Sequence, residues 1–175
     1  MRVNDLVETL AAARIGETYN QYADSELRCN RLAAYLHRRA GARYLLVGEA
    51  AGYRGARLSG LPFTSGRQVS GTGQAEATAT IVQRTLEELG LTEDVLLWNI
   101  VPTHPHRPGE PGSNRRPTSD EVGVSMPFLD ALRTGRQPIA VGRLAHSVLG
   151  GRYVRHPSHG GSTDFRTGLL LSLRR

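Results

Sequence analysis

Glu49, Asn99 and His156 each stand where an apolar run gives way to glycine, proline or a polar loop, in "YLLVGEAAG", "DVLLWNIVP" and "RYVRHPS". A carboxylate at such a place can act as a general base, orient a water molecule, accept hydrogen bonds from a polar heterocycle, or hold its own loop through backbone N–H groups. An amide offers one acceptor and two donors, which can match the donor–acceptor edge of a pyrimidine; the same atoms can close an Asx turn. At the end of an apolar strand that amide is costly unless it is paired. Phe63, after Pro62 in "GLPFTSG", can wall a slot for a flat base, since stacking tolerates any π-face, or fold back over the core. Gly48 and Gly52 allow a tight turn and the close approach of a ligand to the backbone. The loop "GEAAG" is neither G-x-G-x-x-G nor a Walker A sequence, and the charge of Glu49 would repel a phosphate.

The six histidines include His104 and His106 in "THPHRPG" and His156 and His159 in "RHPSHGG". Neither pair has the i, i+4 spacing of a helical zinc site, and the intervening prolines impose extended backbone, so no metal centre is expected. His156 near Ser158 lacks the G-x-S-x-G elbow of a serine nucleophile.

The elements that must carry these groups alternate along the chain. Ser25 caps a helix through "ELRCNRLAAYLHRRAG", and "RYLLVG" follows as a buried parallel strand. After a glycine-rich loop, "QAEATATIVQRTLEELG" is a helix closed by Gly90, and "DVLLWN" is the second strand. The stretch "IVPTHPHRPGEPGSNRRP" is too rich in Pro and Gly for regular structure, and a loop of that length is usually functional. Arg107, Arg115 and Arg116 suit it to contact an anionic partner; otherwise it merely covers a pocket as a solvated loop. Thr118 to Glu121, "TSDE", form a capping box, opening a helix toward Leu132 with Pro127 as a kink or break. "PIAVG" is a third strand, "RLAHSVLG" a short helix, "RYVRH" a fourth strand, and Ser162 caps a last helix through Leu173. This order predicts one α/β domain over residues 1–175, three-layer α/β/α with a central four-stranded, mostly parallel sheet. In such sheets ligands bind beyond the carboxyl ends of the strands, which is where Gly48-Glu49, Asn99, Gly142-Arg143 and His156-Pro157-Ser158 fall.

Composition narrows the partners. The 175 residues carry a net charge of +6 with every one of the 22 basic residues an arginine, so an anionic partner is expected, nucleic acid first. No apolar run reaches the roughly 18 residues of a membrane span, and the amphipathic, acid-containing start "MRVNDLVETLAAAR" is no signal peptide, which leaves a cytoplasmic address. Cys29 is the only cysteine, so neither an intrachain disulfide nor a cysteine-ligated iron–sulfur cluster can form.

Taken in order, "VGEAAG", "GLPFTSG", "LLWN" and "RHPS" resemble the motif series of the uracil-DNA glycosylase superfamily from about Tyr44 to Phe165. The closest likeness is to the bacterial branch whose first motif reads GEAPG, and "LWN…HPHRPG" resembles members without the iron–sulfur cluster. The resemblance implies that Glu49, in a motif with Gly48, Ala50 and Gly52, positions the attacking water beside the deoxyribose C1′ or shapes the base pocket. It implies that Phe63 stacks on an extruded base, that Asn99 reads the O4/N3–H edge of uracil, and that His156 donates to O2 as the glycosidic bond breaks. Arg155 and the segment Ser158, His159, Gly160 and Gly161 would contact the DNA and help extrude the base. The sequence departs from the pattern at Ala51, where the GEAPG branch has proline, and at Ala50, where the familiar enzymes carry Asp. It departs again at Gly52, where they place a Tyr that excludes the methyl group of thymine.

The implied activity is that of a monofunctional DNA glycosylase, monomeric and free of cofactor, that removes uracil or a related deaminated base and leaves an abasic site. The chain has no lysine for Schiff-base lyase chemistry, and only the terminal amine remains for that role. Two other readings make different predictions. A non-catalytic module on the same fold would bind a base or damaged DNA without turnover. A nucleotide-binding α/β protein would bind free nucleotides with no preference for DNA.

Overall fold

A computed structural model describes residues 1–158 and 160–173. Helix α1 (Val3–Ala12) and the two-residue strand β1 (Thr18–Tyr19) precede helix α2 (Glu26–Arg38), whose first turn is capped by the Ser25 hydroxyl accepting from the Arg28 N–H. Strand β2 (Tyr44–Ala50) leads through two short helices, α3 (Ala56–Ser59) and α4 (Gly66–Ser70), to α5 (Ala77–Glu88). Gly90, at φ +65°, ends α5 in a Schellman motif, with Leu91 N–H donating to the Leu86 carbonyl at 2.8 Å. Strands β3 (Val95–Val101) and β4 (His104–Pro105) follow, then helix α6 (Ser119–Arg133), strand β5 (Gln137–Val141), helix α7 (Arg143–Leu149), strand β6 (Arg152–Val154) and helix α8 (Ser162–Leu173).

The central sheet has four parallel strands in the order β3-β2-β5-β6. Alternate strand residues serve opposite faces. Leu45, Val47, Leu96, Trp98 and Ile100 join residues of α1, α2, α6 and α7 in one core. Tyr44, Leu46, Val95, Leu97, Ile139 and Val141 join α5 and α8 in the other. This is the expected three-layer α/β/α architecture. The outer edge of β3 is not left bare, since the Leu97 N–H donates to the Tyr35 hydroxyl at 2.7 Å.

Several boundaries differ from the sequence expectation, each for a tertiary reason. Parallel pairing runs on through Gly48↔Asn99 to Ala50↔Val101, so Glu49 lies within its strand rather than just beyond it, and Asn99 stands two residues before the end of its strand rather than closing it. The Pro-rich stretch after β3 does hold regular structure, because His104–Pro105 pairs antiparallel with Thr18–Tyr19. Helix α6 passes through Pro127 without a break. Ser162 is the first residue of α8 rather than its cap, with Phe165 N–H donating to the Gly161 carbonyl at 2.8 Å. No helix among the described residues is long and apolar enough to cross a membrane.

Candidate active site

The chain leaves β2 for β3 on one side and returns to β5 on the other, so the loops after β2 and β5 flank a topological switch point. A cavity of about 560 Å³ opens there, lined by Glu49, Phe63, Asn99, His156 and Ser158 among others.

Gly48 lies behind the cavity lining, where Phe63 and Asn99 meet over its backbone. A methyl group added to it would overlap the Phe63 ring and stand 2.9 Å from Asn99 Oδ1. Phe63 is 7% exposed and belongs to the α5/α8 core while also lining the cavity. It is also the only non-glycine residue at positive φ, +49°, among the described residues. That conformation costs about 1 kcal/mol and persists because the loop around it is over-determined. Gln83 on α5 donates to the Phe63 carbonyl and to Thr64 Oγ1, both at 3.1 Å, and Ser59 Oγ donates to the Thr64 carbonyl at 2.6 Å. The Tyr22 hydroxyl holds the Gly60 carbonyl at 3.0 Å.

Asn99 is 5% exposed, and its amide makes no hydrogen bond among the described residues. The Asx turn open to it from sequence does not form. A nearly buried amide without a partner is costly, and its polar atoms front the cavity.

His156 follows β6 beside Gly142, which takes φ +86° and leaves about the room of one methyl group next to the His156 side chain. The Ser158 N–H donates to His156 Nδ1 at 3.2 Å, and the Ser158 hydroxyl lies 2.8 Å from the same nitrogen. With an N–H aimed at it, Nδ1 is an acceptor, so the neutral ring carries its proton on Nε2. The turn closes tightly: a side chain at Gly161 would overlap the His156 carbonyl oxygen. Gly160 takes φ +77°, and His159 lies outside the described residues.

Glu49 is half-buried and makes no hydrogen bond through its carboxylate among the described residues, so it does not serve to hold its own loop. Burial pushes it above the ordinary carboxylate range, and the Arg116 guanidinium opposes that shift. The loop beyond it is held from elsewhere. Ala51 N–H donates to the Val101 carbonyl at 3.2 Å, His104 Nδ1 to the Ala51 carbonyl at 2.9 Å, and Tyr53 N–H to Asn114 Oδ1 at 2.9 Å. Ala50 and Gly52 line the cavity.

The segment after β3 thus folds over the site, with Pro105, Asn114 and Arg115 in its wall. Arg115 is bound to the buried Glu121 at 2.6 and 2.8 Å, Arg107 pairs with Glu110, and Arg116 stays exposed. Arg155 pairs with Asp164 on α8. The exposed Arg143, by contrast, lines the cavity with no ion pair among the described residues.

Residues 37–170 match the family model described as the Uracil DNA glycosylase superfamily. The chain belongs to the uracil-DNA glycosylase superfamily. The crystal structure of wild-type SMUG2 from Pedobacter heparinus resembles this superfamily member with a TM-score of 0.72 at 13% identity, covering 99% of this chain and 97% of that one. At that identity the likeness is one of fold. No curated protein sequence matches the chain.

Sequence reasoning about this superfamily member missed Glu76, which lines the cavity from the N-cap position of α5. One signal was available. Glutamate is a poor N-cap residue, and its presence before "ATATIVQRTLEE" has no local purpose, since its side chain makes no capping bond. Arg143, Asn114 and Thr78, also in the lining, carried no local signal at all.

Proposed function

We propose that the protein is a monofunctional DNA glycosylase that hydrolyses the N-glycosidic bond of uracil, or a related deaminated base, in DNA. The observation that carries this reading is the meeting of Phe63 and the unpartnered Asn99 amide on Gly48, inside the cavity that His156 and Glu49 also line.

The extruded base stacks on the Phe63 ring, whose edge rests on Gly48 because that position carries no side chain. Asn99 meets O4 and N3–H of the base with its own donor and acceptor, relieving the cost of burying the amide. His156 donates Nε2–H to O2. As the C1′–N1 bond stretches, negative charge gathers on the uracil oxygens and the sugar becomes oxocarbenium-like, so this donor strengthens toward the transition state. Ser158 holds the imidazole in the required tautomer. Glu49 in its ionised form orients water toward C1′ and faces the developing positive sugar. The exposed Arg143, in the cavity lining, is suited to hold a flanking phosphate, and the net charge of +6 supports binding to a polyanion.

The test is an end-labelled oligonucleotide with a single uracil, placed opposite G, opposite A or in a single strand, incubated with the protein and then treated with hot alkali. Scission by the wild type and not by an Asn99→Ala, His156→Ala double variant is the expected result. No scission at any deaminated base with protein in excess over DNA would sink the proposal.

A further inference from the structure

Glu76 is the one carboxylate of the cavity that this mechanism leaves unused, and the more confined of the two that line it. Its carboxyl group occupies a niche left by two glycines: a methyl group at Gly52 would come within 2.5 Å of Oε1, and one at Gly55 would overlap Oε2. It makes no hydrogen bond or ion pair through that group among the described residues. The carboxyl therefore fills the space that the two absent side chains leave, and burial pushes it above the ordinary carboxylate range. The cavity wall at position 52 does end in a side chain, but the side chain is supplied by residue 76.

The base's own geometry says what that wall faces. A pyrimidine with O4 and N3–H on Asn99 and O2 on His156 has used its O2–N3–O4 edge, and N1 carries the sugar. C5 and C6 remain, and C5 adjoins the carbon bearing O4, so it points to a wall that neither Asn99 nor His156 builds. The stretch Ala50–Ala51–Gly52, together with Glu76, forms such a wall.

We infer that Glu76 is the specificity-determining residue of this site, its carboxyl head group standing in for the side chain that Gly52 lacks and excluding bases that carry a methyl group at C5. The inference rests on the reading of the cavity as a glycosylase base slot. Hydrogen at C5 leaves the carboxyl its remaining hydration. A methyl would strip that hydration and return no hydrogen bond, a loss felt in binding and transition state alike. One methyl group discriminated by a shaped pocket changes kcat/KM by about 10- to 200-fold.

The experiment measures single-turnover excision of uracil and of thymine, each opposite G, by the wild type and by Glu76→Ala, Glu76→Asp and Glu76→Gln. The thymine-to-uracil rate ratio is expected to rise at least about tenfold in Glu76→Ala, by an intermediate factor in Glu76→Asp, and to stay at the wild-type value in the isosteric Glu76→Gln. Glu76→Asp, a one-methylene retreat, keeps the question open to refutation if Glu76→Ala does not fold. An unchanged ratio in the Ala or Asp variant overturns the inference, as does loss of uracil excision in Glu76→Ala and Glu76→Gln alike, which would mark a catalytic carboxylate. A wild type inactive on every deaminated base instead overturns the glycosylase reading, and the inference with it.

Discussion

Ser158 reaches back two residues to His156 and donates its backbone N–H to Nδ1 at 3.2 Å, which leaves the ring's proton on Nε2. Two expectations follow for activity. His156→Ala removes the donor to the departing base and lowers kcat by about 10²- to 10³-fold. Ser158→Ala removes only the hydroxyl contact at 2.8 Å while the backbone bond remains, so kcat falls by about fivefold, the worth of one net hydrogen bond, with KM little changed. Steady-state kinetics on a uracil oligonucleotide separates the two. Equal losses from both substitutions would contradict the assignment of the backbone N–H as the main restraint.

Gly48→Ala crowds the slot from behind. The new methyl overlaps the Phe63 ring and stands 2.9 Å from Asn99 Oδ1, with both neighbours nearly buried. Overpacking of this kind destabilises by about 1–3 kcal/mol, measurable by urea unfolding. Because the displaced groups are those proposed to stack on and read the base, excision should fall far more than stability, by about 100-fold.

The role proposed for Glu49 ties activity to pH. Its carboxyl is raised above the ordinary value of 4.5 by burial, so the rising acid limb of kcat/KM should have its midpoint above that value. Glu49→Gln should abolish the limb and lower kcat/KM by about 10²- to 10⁴-fold. The same shift has a stability consequence of definite sign. The folded state resists ionisation of this group, so its contribution is most favourable below pH 4.5 and is lost as pH rises through the folded value. Glu49→Gln is therefore expected to melt higher than the wild type at neutral pH, and the gap should close in acid.

Glu121 behaves in the opposite way. Its side chain is 2% exposed and accepts from both Arg115 nitrogens and from the Thr118 and Glu17 N–H groups. The Arg115 guanidinium holds it below the ordinary glutamate range, so its contribution to stability is present above pH 4.5 and lost as pH falls through the depressed folded value. Glu121→Gln leaves a partly buried arginine unpaired and should cost about 3 kcal/mol at neutral pH. Thermal melts of wild type and variant should converge as the pH is lowered.

The layered architecture was legible along the chain because its cause is local. Apolar runs such as YLLVG and DVLLWN are short, bounded by loop residues and read as buried parallel strands, the Ser25 and Thr118 caps mark helix starts, and Gly90 marks a helix end. The rim residues followed from the same rule, since a parallel sheet puts the carboxyl ends of its strands on one side, and Glu49, Asn99 and His156 do share one cavity. What sequence could not weigh was any choice resting on a distant partner. Whether Phe63 faced the core or the slot depended on Gln83 and Gly48. Whether Arg115 and Arg155 were free for DNA depended on Glu121 and Asp164. Whether the Pro-rich segment stayed irregular depended on strand pairing with Thr18–Tyr19, more than 80 residues upstream. Glu76 reaches the cavity only because Gly52 and Gly55, some 20 residues earlier, lack side chains. The sequence by itself determined the periodicity, the caps and the residue types at the strand ends. Only the tertiary structure decided which side chains meet, because a partner's position is a property of the folded backbone and not of spacing along the chain.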